Sequence, residues 1–281
     1  MKTITTIDEM QAIVKNMNKV KTIGYVPTMG YLHEGHIQLI REARKANDVV
    51  VISIFVNPLQ FGPNEDFDSY PRDFERDSSI CLSEGVDYIF YPSVEEMYPS
   101  PLSAKVFVQA RTDVLCGESR PGHFDGVATI LTKLFHIISP DRVYLGMKDA
   151  QQVAVVSGLV QDMNFPLELV PVDTVREDDG LAKSSRNINL TEEERYQAPT
   201  LYKSLLQAKK SIVSGEKDKE KIIEQMREQI EKETSGMIDY IEIYSFPELL
   251  TIEKLKGKII VALAVKFSKA RLIDNLVLTV D

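Results

Sequence analysis

The chain has 281 residues, 43% hydrophobic and 27% charged, the balance of a globular protein with enough apolar material for a core. Its formal net charge of −9 argues against a general nucleic-acid surface and leaves room for a local basic pocket. No stretch approaches a membrane span, Met1-Lys2-Thr3-Ile4-Thr5-Thr6 lacks a signal-peptide core, and the 2 cysteines, Cys81 and Cys116, show neither metal spacing nor a disulfide framework, so the chain reads as cytoplasmic, with no nucleic-acid or membrane partner.

The first three-fifths alternate strand and helix. An apolar run at residues 22–26 reads as a strand, and Ile37, Leu39, Ile40, Ala43 and Ala46 mark a following helix. Residues 48–56 form a near-continuous apolar run, the pattern of a strand buried on both faces of a parallel sheet. A loop at 57–64 follows, then a polar-rich segment at 66–84 expected to be helical, a short strand at 86–91 and a further strand at 106–108. Helices are expected at 124–138 and 150–163. Strands are expected at 143–145 and at 167–175, where Pro171 predicts an edge or a bulge. Right-handed crossovers make residues 1–175 an α/β, doubly wound parallel-sheet (Rossmann-like) domain, with ligands beyond the carboxyl ends of its strands.

After the charged loop at 176–180 the pattern changes. Thr191-Glu192-Glu193-Glu194 resembles a capping box opening a helix, helices are expected at 191–214 and 217–233, and strands at 240–245, 258–267 and 271–280. Residues 176–281 therefore read as a smaller α+β domain.

The stretch Pro27-Thr28-Met29-Gly30-Tyr31-Leu32-His33-Glu34-Gly35-His36 joins the strand at 22–26 to its helix, the usual anion-binding corner of such sheets. With 4 histidines in the chain, two lie here three residues apart, on one face of a first helical turn, where imidazole N–H groups can meet phosphate oxygens. A zinc site would want an i, i+4 pair and a third ligand, and neither phosphate-loop nor dinucleotide glycine fingerprints occur; two histidines without a role stay as the bland alternative. Gln60 and Gln152 offer amides for a hydroxy acid. Gly146-Met147-Lys148-Asp149 offers a phosphate-binding lysine and an acceptor for ribose. Lys183-Ser184-Ser185-Arg186-Asn187 reads either as a triphosphate clamp or as a polar hinge.

Together with Phe55-Val56-Asn57-Pro58-Leu59-Gln60-Phe61, Arg120-Pro121-Gly122-His123-Phe124-Asp125-Gly126-Val127 and Lys148-Asp149-Ala150-Gln151-Gln152, these motifs resemble the pantoate–β-alanine ligase family, in its order and across residues 25–190. The resemblance implies the wider nucleotidylyltransferase superfamily, with its HIGH-type motif at 33–36 and its KMSKS-type loop at 183–187. It implies ATP as co-substrate, Mg²⁺, pantoate and β-alanine as small-molecule substrates, and a homodimer. Pantoate's carboxylate would attack the α-phosphate to give pantoyl adenylate and pyrophosphate, and β-alanine's amine would then release pantothenate and AMP.

By the same resemblance His36, His33, Lys148 and Arg186 are the catalytic residues. Met29, Gly30, Gly35, Gly146, Asp149, Val175 (through its backbone), Lys183, Ser184 and Ser185 join them around the nucleotide. Gln60, Gln152, Arg120 and Asn57 line the substrate pocket, and Asp77 is the metal ligand. The chain departs from the family at Lys183, where Met is common, and at Arg76-Asp77, where some members carry an acidic pair. A nucleotidylyltransferase acting on a phosphate, an aminoacyl-tRNA synthetase and a non-catalytic nucleotide-binding regulator are the readings from other classes.

Overall fold

In the computed structural model, which describes residues 1–17, 21–62, 67–68 and 70–281, a six-stranded parallel sheet is followed by a three-stranded antiparallel one. The first part runs β1 (Lys2–Ile4), α1 (Ile7–Met17), β2 (Ile23–Thr28), α2 (Glu34–Ala46), β3 (Val49–Ile54), α3 (Phe74–Ser83), β4 (Tyr88–Phe90), α4 (Val94–Met97), α5 (Leu115–Ser119), α6 (His123–Ile138), β5 (Arg142–Gly146), α7 (Ala150–Asp162) and β6 (Glu168–Val172). The second part runs α8 (Glu192–Gln197), α9 (Thr200–Val213), α10 (Lys219–Glu233), β7 (Met237–Ser245), β8 (Gly257–Lys266) and β9 (Arg271–Val280). Short 3₁₀ turns occupy Pro58–Gln60, Met147–Asp149 and Ser185–Asn189.

The large sheet has the order β1-β4-β3-β2-β5-β6, all parallel. β3 (VVVISI) is buried throughout and shows why the order is doubly wound. Val49 and Val51 join the apolar cluster under α1, α6 and α7, whereas Val50, Ile52 and Ile54 join the one under α2 and α3. A strand with two apolar faces needs helices on both. The chain winds outward from β2 through β3 and β4 on one side and through β5 and β6 on the other, so the order reverses between β2 and β5. Those two strands pair only at Gly24 and Tyr25, and beyond that they part, opening a crevice at their carboxyl ends.

The small sheet repeats the logic. Ile259, Val261, Leu263 and Val265 of β8 pack under α9 and α10, and Ile260 and Ala262 face the other way, against Leu115, Ala150 and Ala154 of the first part. No helix among the described residues is long and apolar enough to cross a membrane.

Several expectations need correcting. Residues 106–108 form no strand: the Val106 and Val108 N–H groups donate to Thr129 Oγ1 and Asp125 Oδ1 of α6, so helix side chains stand where a neighbouring strand would. The helix expected at 66–84 begins at Phe74, capped by Asp73; residues 63–66 and 69, including the end of the loop at 57–64, lie outside the described residues. The helix expected at 191–214 is two, because Pro199 has no N–H to continue the ladder and instead caps α9. Pro171 does sit on an edge strand, and Thr191 and Glu194 do form a capping box.

α6 crosses the Pro58–Gln60 turn so closely that a Cβ on Gly126 would lie 2.2 Å from the Leu59 carbonyl oxygen. Gly126→Ala is therefore expected to cost roughly 1–3 kcal/mol through forced overpacking, read as a lower urea midpoint at unchanged m.

Candidate active site

The turn from β2 into α2 is held from beneath. Gly30 takes φ +87°, a backbone conformation that disfavours any side chain, and a Cβ there would also crowd Ile54 and Asp77 at 3.0 and 3.1 Å. The buried Asp77 carboxylate accepts the Tyr31 N–H at 2.7 Å and the Leu32 N–H at 2.8 Å. Arg76 donates to the Leu32 carbonyl at 2.8 Å and lays its guanidinium over the Tyr31 ring. The expectation that Asp77 is a metal ligand is thus corrected: its side chain is 1% exposed and both oxygens serve the backbone of this turn.

The two histidines cap α2 reciprocally. His33 Nδ1 accepts the Gly35 N–H at 3.1 Å, and His36 Nδ1 accepts the His33 N–H at 3.3 Å, with ring centroids 4.1 Å apart. This is the geometry of a capping box built from imidazoles. Each Nδ1 is an acceptor, so each ring's proton is on Nε2, which becomes its donor. Burial pushes His33 down to about 4, with the Lys148 ammonium acting in the same direction, and holds His36 well below the ordinary imidazole range. Both rings are neutral donors at neutral pH. Gly35 is required by this cap: a Cβ there would strike the His33 ring at 2.8 Å.

Across the crevice, β5 ends at Gly146 and the Met147–Asp149 turn carries Lys148 and Asp149, 3.7 Å apart. Asn275 of β9 holds this turn by donating to the Met147 and Lys148 carbonyls at 2.9 and 3.0 Å. A cavity of about 470 Å³ opens beside it, between the two sheets. Its walls include Arg120, Lys148, Asp149, Gln152, Ser184 and Arg186, all expected from the sequence. They also include Lys269 and Arg271, which sequence reading missed because they come from the far sheet. Ser184 Oγ accepts the Arg186 N–H and opens the Ser185–Asn189 turn, which aligns this stretch.

Other expected residues sit differently. Lys183 is not on the cavity wall; its ammonium is 2.6 Å from Glu177 and 3.6 Å from Glu34 at the start of α2. The Val175 carbonyl is taken by the Lys183 N–H at 2.9 Å. Gln60 Nε2 donates to Met29 Sδ at 3.0 Å. Asn57 is 1% exposed with its whole amide engaged by protein, so the expectation that it lines the substrate pocket is corrected: it braces Gln60 from behind. Gln151, the neighbour of Gln152, turns inward and ties the Arg111 and Val114 carbonyls. His123 had no assigned role; its Nδ1 bonds the Gln60 carbonyl at 2.7 Å, so the proton is there and Nε2 accepts from Arg120 at 3.1 Å.

A doubly wound sheet with a histidine-capped helix, a lysine-bearing turn and a hydroxyl–arginine loop around one crevice defines a nucleotide-binding α/β enzyme that works on an anion. A family model described as Pantoate-beta-alanine ligase matches residues 2–277. Similar curated proteins include the pantothenate synthetases of Geobacillus sp. strain WCH70, 61% identical over 98% of both chains, and of Bacillus cereus, 59% identical over the full length of both. Similar solved structures include pantothenate synthetase from Thermus thermophilus (44% identity, TM-score 0.93, covering 98% of this chain and 99% of that one). Pantoate-beta-alanine ligase from Francisella tularensis, complexed with beta-gamma ATP and beta-alanine, is also similar (35% identity, TM-score 0.80, 98% and 97%). The chain belongs to the pantoate–β-alanine ligase family and is an enzyme, a ligase.

Two outcomes follow from the site. As pH falls below 6.5 the unfolded chain takes up a proton on His33 that the folded chain refuses until about 4, so stability should fall steadily across that window. His33→Asn, which retains a cap acceptor but does not titrate, should flatten the profile of melting temperature against pH. Asp77→Ala, which strands the buried Leu32 N–H and the half-buried Tyr31 N–H, should cost on the order of 3 kcal/mol without changing the Mg²⁺ concentration that gives half-maximal activity; a shifted Mg²⁺ requirement would restore Asp77 as a ligand.

Proposed function

We propose that the enzyme condenses (R)-pantoate with β-alanine using ATP, through pantoyl adenylate, releasing AMP and pyrophosphate. The observation that carries the adenylation step is the pair of neutral, Nε2-protonated imidazoles at the start of α2 beside Lys148. Attack of pantoate's carboxylate oxygen on the α-phosphorus forms one P–O bond and breaks the bond to the β-phosphate. Negative charge builds on oxygens already fixed in the site, so preset donors stabilise it without reorganisation. His33 and His36 donate from Nε2 to the α-phosphate and to the departing oxygen. Lys148 and Arg186 neutralise phosphates, and Ser184 and Ser185 donate hydroxyl hydrogen bonds to them; Met29, Gly30, Gly35, Gly146, Asp149 and the Val175 backbone surround the nucleotide. Lys183, held by Glu177 and Glu34, contributes from behind.

In the second half-reaction β-alanine's neutral amine attacks the acyl carbon, the acyl C–O bond to AMP breaks, and the extra proton leaves the nitrogen to water. Gln60, Gln152 and Arg120 hold pantoate, with Arg120 buttressed by His123. No covalent enzyme intermediate is required.

Among the described residues, no group of three or more His, Cys, Asp or Glu side chains is placed to hold a metal ion, and Asp77 is committed to the backbone. Mg²⁺ is commonly held by substrate phosphates with few or no protein carboxylates. The ion enters this reading as part of the ATP substrate, on its phosphate oxygens, and no step is routed through it.

The same reading makes residues 1–175 the ATP- and pantoate-binding domain and residues 176–281 a cover that keeps water from the mixed anhydride. It also makes the enzyme a cytoplasmic homodimer without nucleic-acid or membrane partners. The pair of free thiols, Cys81 and Cys116, is in keeping with a reducing compartment.

Pyrophosphate release from ATP and Mg²⁺ tests the reading. With pantoate alone it should come as one burst of about one per site, becoming steady turnover with AMP once β-alanine is added. Release that ignores pantoate would return the chain to nucleotidyl transfer onto some other acceptor. His36→Ala should lower the burst rate by on the order of 100-fold.

A further inference from the structure

We propose that Tyr98 is a positioning residue that steadies, through Asn57, the Gln60 amide with its nitrogen toward the substrate. The inference rests on the reading of Gln60 as a pantoate contact.

An amide cannot choose its own orientation, so neighbours with a single hydrogen-bonding role must choose for it. Two such neighbours face Asn57. The Leu59 N–H can only donate, and it lies 3.3 Å from Asn57 Oδ1; the Gly126 carbonyl can only accept, and it lies 3.1 Å from Nδ2. The Tyr98 hydroxyl donates the stronger bond to Oδ1, at 2.8 Å. The remaining Nδ2 proton goes to Gln60 Oε1 at 3.2 Å. With its oxygen tied back, Gln60 presents its amide nitrogen, whose one partner among the described residues is the weak acceptor Met29 Sδ. Gln60 therefore reads an acceptor oxygen of the substrate and turns away a donor.

Tyr98 is well built for a remote part in this. It ends α4, packs its ring against Phe55, and carries the Lys133 ammonium over its ring face. Neither Tyr98 nor Asn57 lines the cavity, so Tyr98 acts on the substrate only by way of Asn57 and then Gln60. Burial raises its pKa further above neutrality, so it remains a protonated donor at working pH. Nothing in the local sequence around Tyr98 marks it; the tie to Asn57 spans 41 residues.

The test is a double-mutant cycle on the intact enzyme, with pantoate and ATP as the varied substrates. Tyr98→Phe keeps the ring and removes the donor. It should raise KM for pantoate about tenfold, the size of one lost buried hydrogen bond, and leave KM for ATP unchanged. In a Gln60→Ala background the same substitution should do nothing further. Equal losses in both backgrounds, or a parallel rise in KM for ATP, would show a merely structural role and overturn the inference alone. A Gln60→Ala enzyme with unchanged KM for pantoate would remove the underlying reading and the inference together. Should Tyr98→Phe fold poorly, the unmodified chain still decides: the Asn57 side-chain amide protons must exchange slowly with solvent, and fast exchange would overturn the arrangement.

Discussion

The site depends on one pair of hydrogen bonds, in which each histidine of the α2 start accepts a backbone N–H belonging to the other's turn. A serine or aspartate cap would satisfy the same N–H groups. The imidazole version does something more. By committing each Nδ1 lone pair to the backbone, it decides the tautomer and directs a neutral donor outward from each ring. Burial and the Lys148 charge both oppose protonation, so the donors stay neutral. A cationic ring would lose the acceptor that holds the turn. Structure and chemistry here use the same atoms, and the supports run downward from them: Gly35 makes room for the His33 ring, and Asp77 and Arg76 hold the turn that delivers both.

Much of this was legible in the sequence because it is local. The corner at 27–36, the two-faced strand at 49–54 and the Thr191 capping box are each written within about ten residues, where periodicity and cap chemistry apply. What escaped depends on contacts far apart in the chain. β1 is three residues long and owes its pairing to β4, more than eighty residues on. Asp77 and Asn57 carry side chains that suit ligands, and only packing reveals that Asp77 is spent on backbone N–H groups and Asn57 on backbone and neighbouring side chains. Residues 106–108 are apolar and β-prone like a strand but lie along α6, whose Asp125 and Thr129 supply the missing partners.

Charge shows the same divide between local and global. A chain of net charge −9 still gathers Arg120, Lys148, Arg186, Lys266, Lys269 and Arg271 on one cavity wall. Asp239 binds both Lys266 and Arg271, fixing two of these cations before any substrate arrives. The acidic surplus lies elsewhere, much of it on exposed helix faces, where it interacts mainly with water.

The Arg176–Asp274 pair ties the loop after β6 to the small sheet. Its two hydrogen bonds, at 2.6 and 2.9 Å, are largely buried and roofed by the Tyr202 ring. β6 ends at Val172, and the Val175 carbonyl is already bonded to Lys183, so the covalent axle between the sheets narrows to Asp173 and Thr174. Asn275 bridges the two parts from the other side, donating to the Met147 and Lys148 carbonyls. Asp274 and Asn275 are neighbours on β9, so one strand anchors both Arg176, at the head of the stretch that leads to Ser184 and Arg186, and the turn that carries Lys148.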